Sequence, residues 1–164
     1  MHLYSILKFL HILAVTVFVG GIFARQLIRR TAAKNAEIQS VASLIRAARR
    51  IDAVMVGPGS MAAAVLGVNV ALLGGVPITG FLQGGSENWL LASNILLIGV
   101  IVLVPAIFLP WGRRMEPILR SALVQGAVTP ELRDALEDRR VSLAHRIEEI
   151  AILLIVALMV LKPF

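Results

Sequence analysis

Cysteine is absent from the 164 residues, which excludes disulfides, thiolate catalysis and sulfur-ligated clusters. Aromatic residues make up only 5% of the chain and do not alternate with the basic ones, so bases have no stacking platform. Nucleic acid is therefore excluded as a partner despite a formal charge of +6. Charge is missing from long stretches as well, and residues 76–88 contain neither lysine nor arginine.

What fills the chain instead is apolar sequence. Hydrophobic residues account for 58% and mean hydropathy is +0.85, far above a soluble domain of this size. Four runs, about 3–24, 53–75, 89–111 and 143–161, each approach the roughly 20 residues needed to cross a ~30 Å hydrocarbon core. The expected fold is an all-α, four-helix integral membrane bundle forming a single domain over 1–164. The first run has little charge before it and no clear small-x-small cleavage site, and Arg25, Arg29 and Arg30 follow directly. Retention as a span is expected over removal as a signal peptide.

The basic residues divide the bundle into two ends. Seven lie between the first two runs, from Arg25 to Arg50, and six more between the third and fourth, from Arg113 to Arg140. Such residues gather in cytoplasmic loops, so both termini are expected outside, in a bacterial cytoplasmic membrane. The basic loops would rest on anionic lipid heads, each charge contributing about 1 kcal/mol near the surface.

Local patterns refine this picture. Ile38, Val41, Leu44 and Ile45 recur at helical spacing and predict an interfacial helix with its basic face toward water. Pro105 and Pro110 predict that the third span kinks or ends early, with Trp89 and Trp111 as interfacial anchors. Thr129-Pro130-Glu131 reads as a helix start, from which one long helix would run into the fourth span. Gly59, Ala63, Gly67, Ala71 and Gly75 form a four-residue ladder on the second span, matched on the first by Thr16, Gly20 and Ala24. Small residues in that register let helices approach closely in lipid, within one bundle or across a homo-oligomer.

Two polar groups are candidate sites, since polar side chains inside a membrane are costly. At ~1.5 Å per residue, His11 lies about 12 Å deep, Asn69 about 9 Å and Asn94 about 8 Å from the outer surface, with Met159 slightly shallower. Lys8 shares the face of His11, and a neighbouring cation favours the neutral imidazole that can ligate a metal. The simpler alternative is that His11 bonds an asparagine or a backbone carbonyl and fixes packing. The second group, at the cytoplasmic end, comprises Asp52, His145, Glu148 and Glu149. Its carboxylates are expected to pair with Arg49, Arg50 or Arg113, either as a structural lock or as a proton or quinone-headgroup site. His11 and His145 would lie ~15–20 Å apart along the normal, too far to share one haem.

Lys8-Phe9-Leu10-His11-Ile12-Leu13, the following Gly20-Gly21, and the ending Met159-Val160-Leu161-Lys162-Pro163-Phe164 resemble small bacterial membrane proteins. These are the group related to the HemJ-type protoporphyrinogen oxidases and the CopD copper-resistance proteins, closest to a branch of predicted integral membrane proteins with a K-x-x-H start and M-x-x-K-P finish. The resemblance implies haem b on His11, with Lys8 beside it; in that reading Asn69 and Asn94, at the same depth, would supply hydrogen bonds around the haem and Met159 would approach its other axial position. Arg25, Arg29 and Arg30 lack the histidine found beside them in the HemJ pattern, and Ser93 and Asn94 stand where that pattern has a lysine a few residues after the third-helix tryptophan. Both departures argue against protoporphyrinogen oxidation. The alternatives are a non-enzymatic membrane module or accessory subunit acting through helix packing, and copper transport through His2, His11 and Met159.

Overall fold

A computed structural model describes residues 2–85 and 88–163, so the closing Phe164 of the terminal motif lies outside the described residues. The chain is all helical: α1 (His2–Lys34), α2 (Ile38–Ile51), α3 (Gly57–Leu73), α4 (Trp89–Leu103), α5 (Leu109–Gln125), α6 (Pro130–Leu136) and α7 (Arg139–Leu161). A π turn, Asp52–Val56, joins α2 to α3, and another, Val104–Phe108, joins α4 to α5. Among the described residues, three continuous helices are long and apolar enough to cross a membrane: His2–Lys34, Ile38–Leu73 and Trp89–Gln125. Only 17–22% of their apolar windows is buried, so most of that surface faces outward. In α7 the charges of Arg146, Glu148 and Glu149 leave a charge-free stretch only from Ile150 onward.

The long helices form two antiparallel pairs rather than one even bundle. In the first, α1 runs along α3 where small residues remove side-chain bulk. A Cβ on Gly59 would lie 3.2 Å from the Phe18 backbone, and one on Gly67 would lie 2.9 Å from His11 Cε1. On α1 the tight glycine is Gly21, whose Cβ would meet Met55 at 2.9 Å; the expected Gly20 faces open space. Gly75 lies beyond α3, in the left-handed region (φ 67°) that favours glycine. In the second pair α4 packs on α7, with Met159 against buried Trp89 and Leu90. Phe18 and Ile22 meet Ile152 where the pairs touch in mid-span.

Several local expectations change. The third span continues through Pro105 to Gln125, because the wider π turn accommodates a residue without an N–H and its ring. The apolar face of α2 does not rest on lipid: Ile38, Val41, Ala42 and Ile45 are buried against Met115, Leu119, Ala122 and Leu132 of α5 and α6. The helix begun by Thr129 stops at Leu136, since Asp138 accepts from the backbone N–H groups of Arg140 and Val141 and starts α7 afresh. Trp111 donates to the Ala135 carbonyl at 3.0 Å, and Lys162, at φ 45°, holds its ammonium 5.2 Å from the Trp89 ring. Arg133 bonds the carbonyls of Ala33 and Asn35, capping α1 and tying the helices of the charged end to the first pair.

Candidate functional site

Each long helix carries a charged or aromatic residue where its apolar run meets the charged end, and these residues converge. Arg25 and Arg29, one turn apart on α1, share a face. Asp52 opens the first π turn, Phe108 closes the second, and His145 and Glu148 lie three residues apart on α7. Widened helical turns re-aim side chains and recur at functional sites.

Five of these side chains form a closed ring. Arg25 donates to Glu148 and, at 2.7 Å, to Asp52; Arg29 reaches the other Asp52 oxygen at 3.5 Å. Arg29 also donates to His145 Nε2 at 2.6 Å, and His145 Nδ1 donates to Glu148 at 3.2 Å. With Nε2 accepting and Nδ1 donating, the imidazole is the neutral Nδ1–H tautomer. Phe108 stacks on it, ring centroids 4.4 Å apart and 15° from parallel, while Arg29 lies 4.9 Å above Trp111. Arg25, His145 and Glu148 are buried, at 5, 6 and 3% exposure. Charges so placed persist only when paired, and removing one partner typically costs about 3–5 kcal/mol.

The pairing differs from the sequence expectation. Glu148 takes Arg25 and Glu149 takes Arg30 at 3.0 Å, whereas Arg49 is occupied by Glu116. The reason is geometric: α1 extends past Arg30 beside α7, and the packing of α2 on α5 turns Arg49 toward Glu116.

Beside the ring lies a cavity of about 960 Å³. It is lined by the ring residues and Trp111, and by Val56 of the first π turn, Ser60 of α3, Ile101 of α4 and Val104 and Pro105 of the second π turn. α3 and α4 do not pack against each other at this end, and Ile101 and Val104 are 56 and 42% exposed. The cavity therefore opens sideways, toward whatever surrounds the helices. Two buried nitrogens of lining residues, Arg25 Nε and Gln26 Nε2, have no hydrogen-bond partner among the described residues. An unsatisfied buried donor costs about 1–3 kcal/mol.

The residues expected at one level of the outer leaflet are not drawn together. His11 Nδ1 donates to the Ala63 carbonyl at 2.9 Å, with its ring against Gly67. Asn69 is exposed and bonds Val65 of its own helix, Asn94 bonds Ile78 at 3.2 Å, Met159 packs on α4, and Lys8 is exposed. Among the described residues no three histidine, aspartate or glutamate side chains group as metal ligands. Of the four residues expected around His11, Asn69, Asn94 and Met159 have other partners and Lys8 is exposed.

Sequence reasoning singled out Asp52, His145 and Glu148 but read Arg25 and Arg29 only as topology charges, and passed over Gln26 and Phe108. The available signal was the heptad His11, Phe18, Arg25, which puts Arg25 on the face of α1 that meets α3 and α7.

A family model described as "Predicted integral membrane protein (DUF2269)" matches residues 5–163. No curated protein and no solved structure matches the chain.

Proposed function

Because the chain belongs to the DUF2269 family of predicted integral membrane proteins, we propose that it is a multi-pass membrane binding module whose working site is the cavity beside the Arg25–Asp52–Arg29–His145–Glu148 ring. The observation that carries this reading is the cavity itself, about 960 Å³ and lined by the ring, of which Arg25, His145 and Glu148 are buried. Small-molecule sites occupy about 300–1,000 Å³ and combine apolar walls with a few convergent polar groups. A purely structural charge lock has no use for such a void. Both termini lie outside and the ring end faces the cytoplasm, where the exposed Arg113, Arg114, Arg139 and Arg140 meet anionic lipid heads. The role is non-enzymatic: the ring fixes three helices beside the cavity.

Cysteine accessibility tests this reading in a chain that has no native cysteine. Ser60→Cys, on the cavity wall, should react with a water-soluble maleimide in phosphatidylcholine nanodiscs. Val65→Cys, on the outward face of α3, should not. Equal inertness of the two would remove the cavity as a working site.

A second reading keeps His11 as a haem ligand. Donation from Nδ1 to Ala63 leaves Nε2 with its lone pair free, the arrangement in which a ligating histidine is held by a carbonyl behind it. Haem would supply electron transfer there, with His11 holding the iron. A Soret band in the purified protein that is lost in His11→Ala supports this reading; a colourless protein after haem addition ends it.

A further inference from the structure

We propose that the ring is a proton-operated latch between the two helix pairs, closed while His145 is neutral and released at the Arg29–His145 link when a proton enters at Nε2. The latch is a property of the ring alone, whether or not the cavity takes a ligand.

Three arginines of α1 reach across to three acceptors on α7. Arg25 meets Glu148, Arg30 meets Glu149 at 3.0 Å, and Arg29 meets His145 Nε2 at 2.6 Å. Two of these links end on carboxylates and persist wherever a carboxylate is ionised. The third ends on an imidazole nitrogen, which accepts only while it carries no proton. A carboxylate at that position would serve a static lock equally well. Imidazole adds a response to pH, because its ordinary charge change falls between about pH 5 and 8.

A proton on Nε2 sets N–H against N–H and cation against cation. Among the described residues, the charged groups facing His145 are Arg25 and Arg29 from α1, Asp52 from the first π turn and Glu148 from its own helix. The second π turn and α5 present the uncharged rings of Phe108 and Trp111. Arg30, Arg49, Glu137 and Arg146 complete the charged lining of the adjoining cavity, with Arg30 on Glu149 and Arg49 on Glu116. Glu148 already holds Nδ1 and Arg25, and Asp52 is shared by both ring arginines, so neither carboxylate is spare for Nε2. Of the two cations facing an imidazolium, Arg29 is the one placed to leave. Its side chain is 21% exposed, against 6% for Arg25. Its long 3.5 Å contact with Asp52 can shorten as the guanidinium swings off Nε2, which also changes its position over the Trp111 ring. The two carboxylate links stay closed, so the helix pairs loosen at one point without separating.

Nuclear magnetic resonance of isotope-labelled histidine nitrogens reads the latch in full-length protein in detergent, with the His145 signals identified by their loss in His145→Asn. At neutral pH, Nδ1 should carry the proton and Nε2 none. Between about pH 8 and pH 4, while the helical circular dichroism holds, Nε2 should take one up. Trp111 emission, identified by its loss in Trp111→Phe, should change with the same midpoint. Arg29→Met removes the opposing cation and should raise that midpoint by about one pH unit, a tenfold gain in proton affinity. By linkage, the same factor is the one by which the proton weakens the Arg29 link. An Nε2 still bare at about pH 4, or a midpoint unmoved in Arg29→Met, overturns the latch. Constant Trp111 emission while Nε2 titrates also overturns it, with no substitution in the ring, because Arg29 would then have stayed in place. Emission that changes before Nε2 takes its proton would make Asp52 or Glu148 the sensor and likewise end the proposal.

Discussion

Arg25 on α1 and Glu148 on α7 form a buried ion pair between residues 123 positions apart, and it ties the two helix pairs together. Arg25→Met leaves Glu148 buried with only His145 beside it and should lower unfolding stability by about 3–5 kcal/mol. In Arg25→Met/Glu148→Leu neither charge is stranded across the pair, so the loss should fall well short of the two single losses added. Denaturant melts in detergent measure both. Strict additivity would mean that the two side chains do not interact.

Gly67 faces His11 closely enough that any side chain must displace the imidazole or part the helices. Gly67→Leu should cost about 1–3 kcal/mol through overpacking, and Gly59→Leu at least as much, because its obstacle is the Phe18 backbone. Gly20, with open space around it, is the internal control. Gly20→Ala should be neutral or stabilising by up to about 1 kcal/mol from helix propensity alone. Thermal melts of the three variants should rank Gly20→Ala well above the two leucine variants.

Much of this arrangement is legible in the residues before any coordinates. The apolar runs announce the long helices because lipid demands length and internal hydrogen bonding, both local properties of sequence. The ladder of small residues on α3 likewise marks a face that approaches another helix. The ring was half legible: Asp52, His145 and Glu148 stand out as charges at the edge of apolar runs, but their partners depend on helix rotation and on where α1 ends. Asn35 ends it by accepting from the Glu37 N–H, a local competition that periodicity does not reveal. The π turns were illegible, since Pro105 and Pro58 signal a disturbed helix without saying whether it breaks or widens. One extra residue per turn decides whether Phe108 meets His145.

The orientation expected from charge placement is testable without altering the bundle. A membrane-impermeant maleimide should label Leu82→Cys, exposed in the connection between α3 and α4, in intact cells. Val124→Cys, exposed at the end of α5, should react only after permeabilisation. The reverse pattern would place the ring and its cavity outside and invert the proposed access.

Arg29 should prove irreplaceable by lysine. Its guanidinium contacts three groups in three directions: His145 Nε2 at 2.6 Å, Asp52 at 3.5 Å and the Trp111 face at 4.9 Å. An ammonium is a compact point charge without a planar face, so Arg29→Lys keeps the charge but satisfies at most one or two of those partners. The stacking over Trp111 is worth about 0.5–2 kcal/mol and a hydrogen bond to a charged group about 1.5–3. Arg29→Lys should therefore lose about 1–3 kcal/mol in a detergent melt, against no measurable change for the exposed Arg114→Lys. Equal stability of the two variants would show that Arg29 contributes only its charge, and the ring would then be held by Arg25 alone.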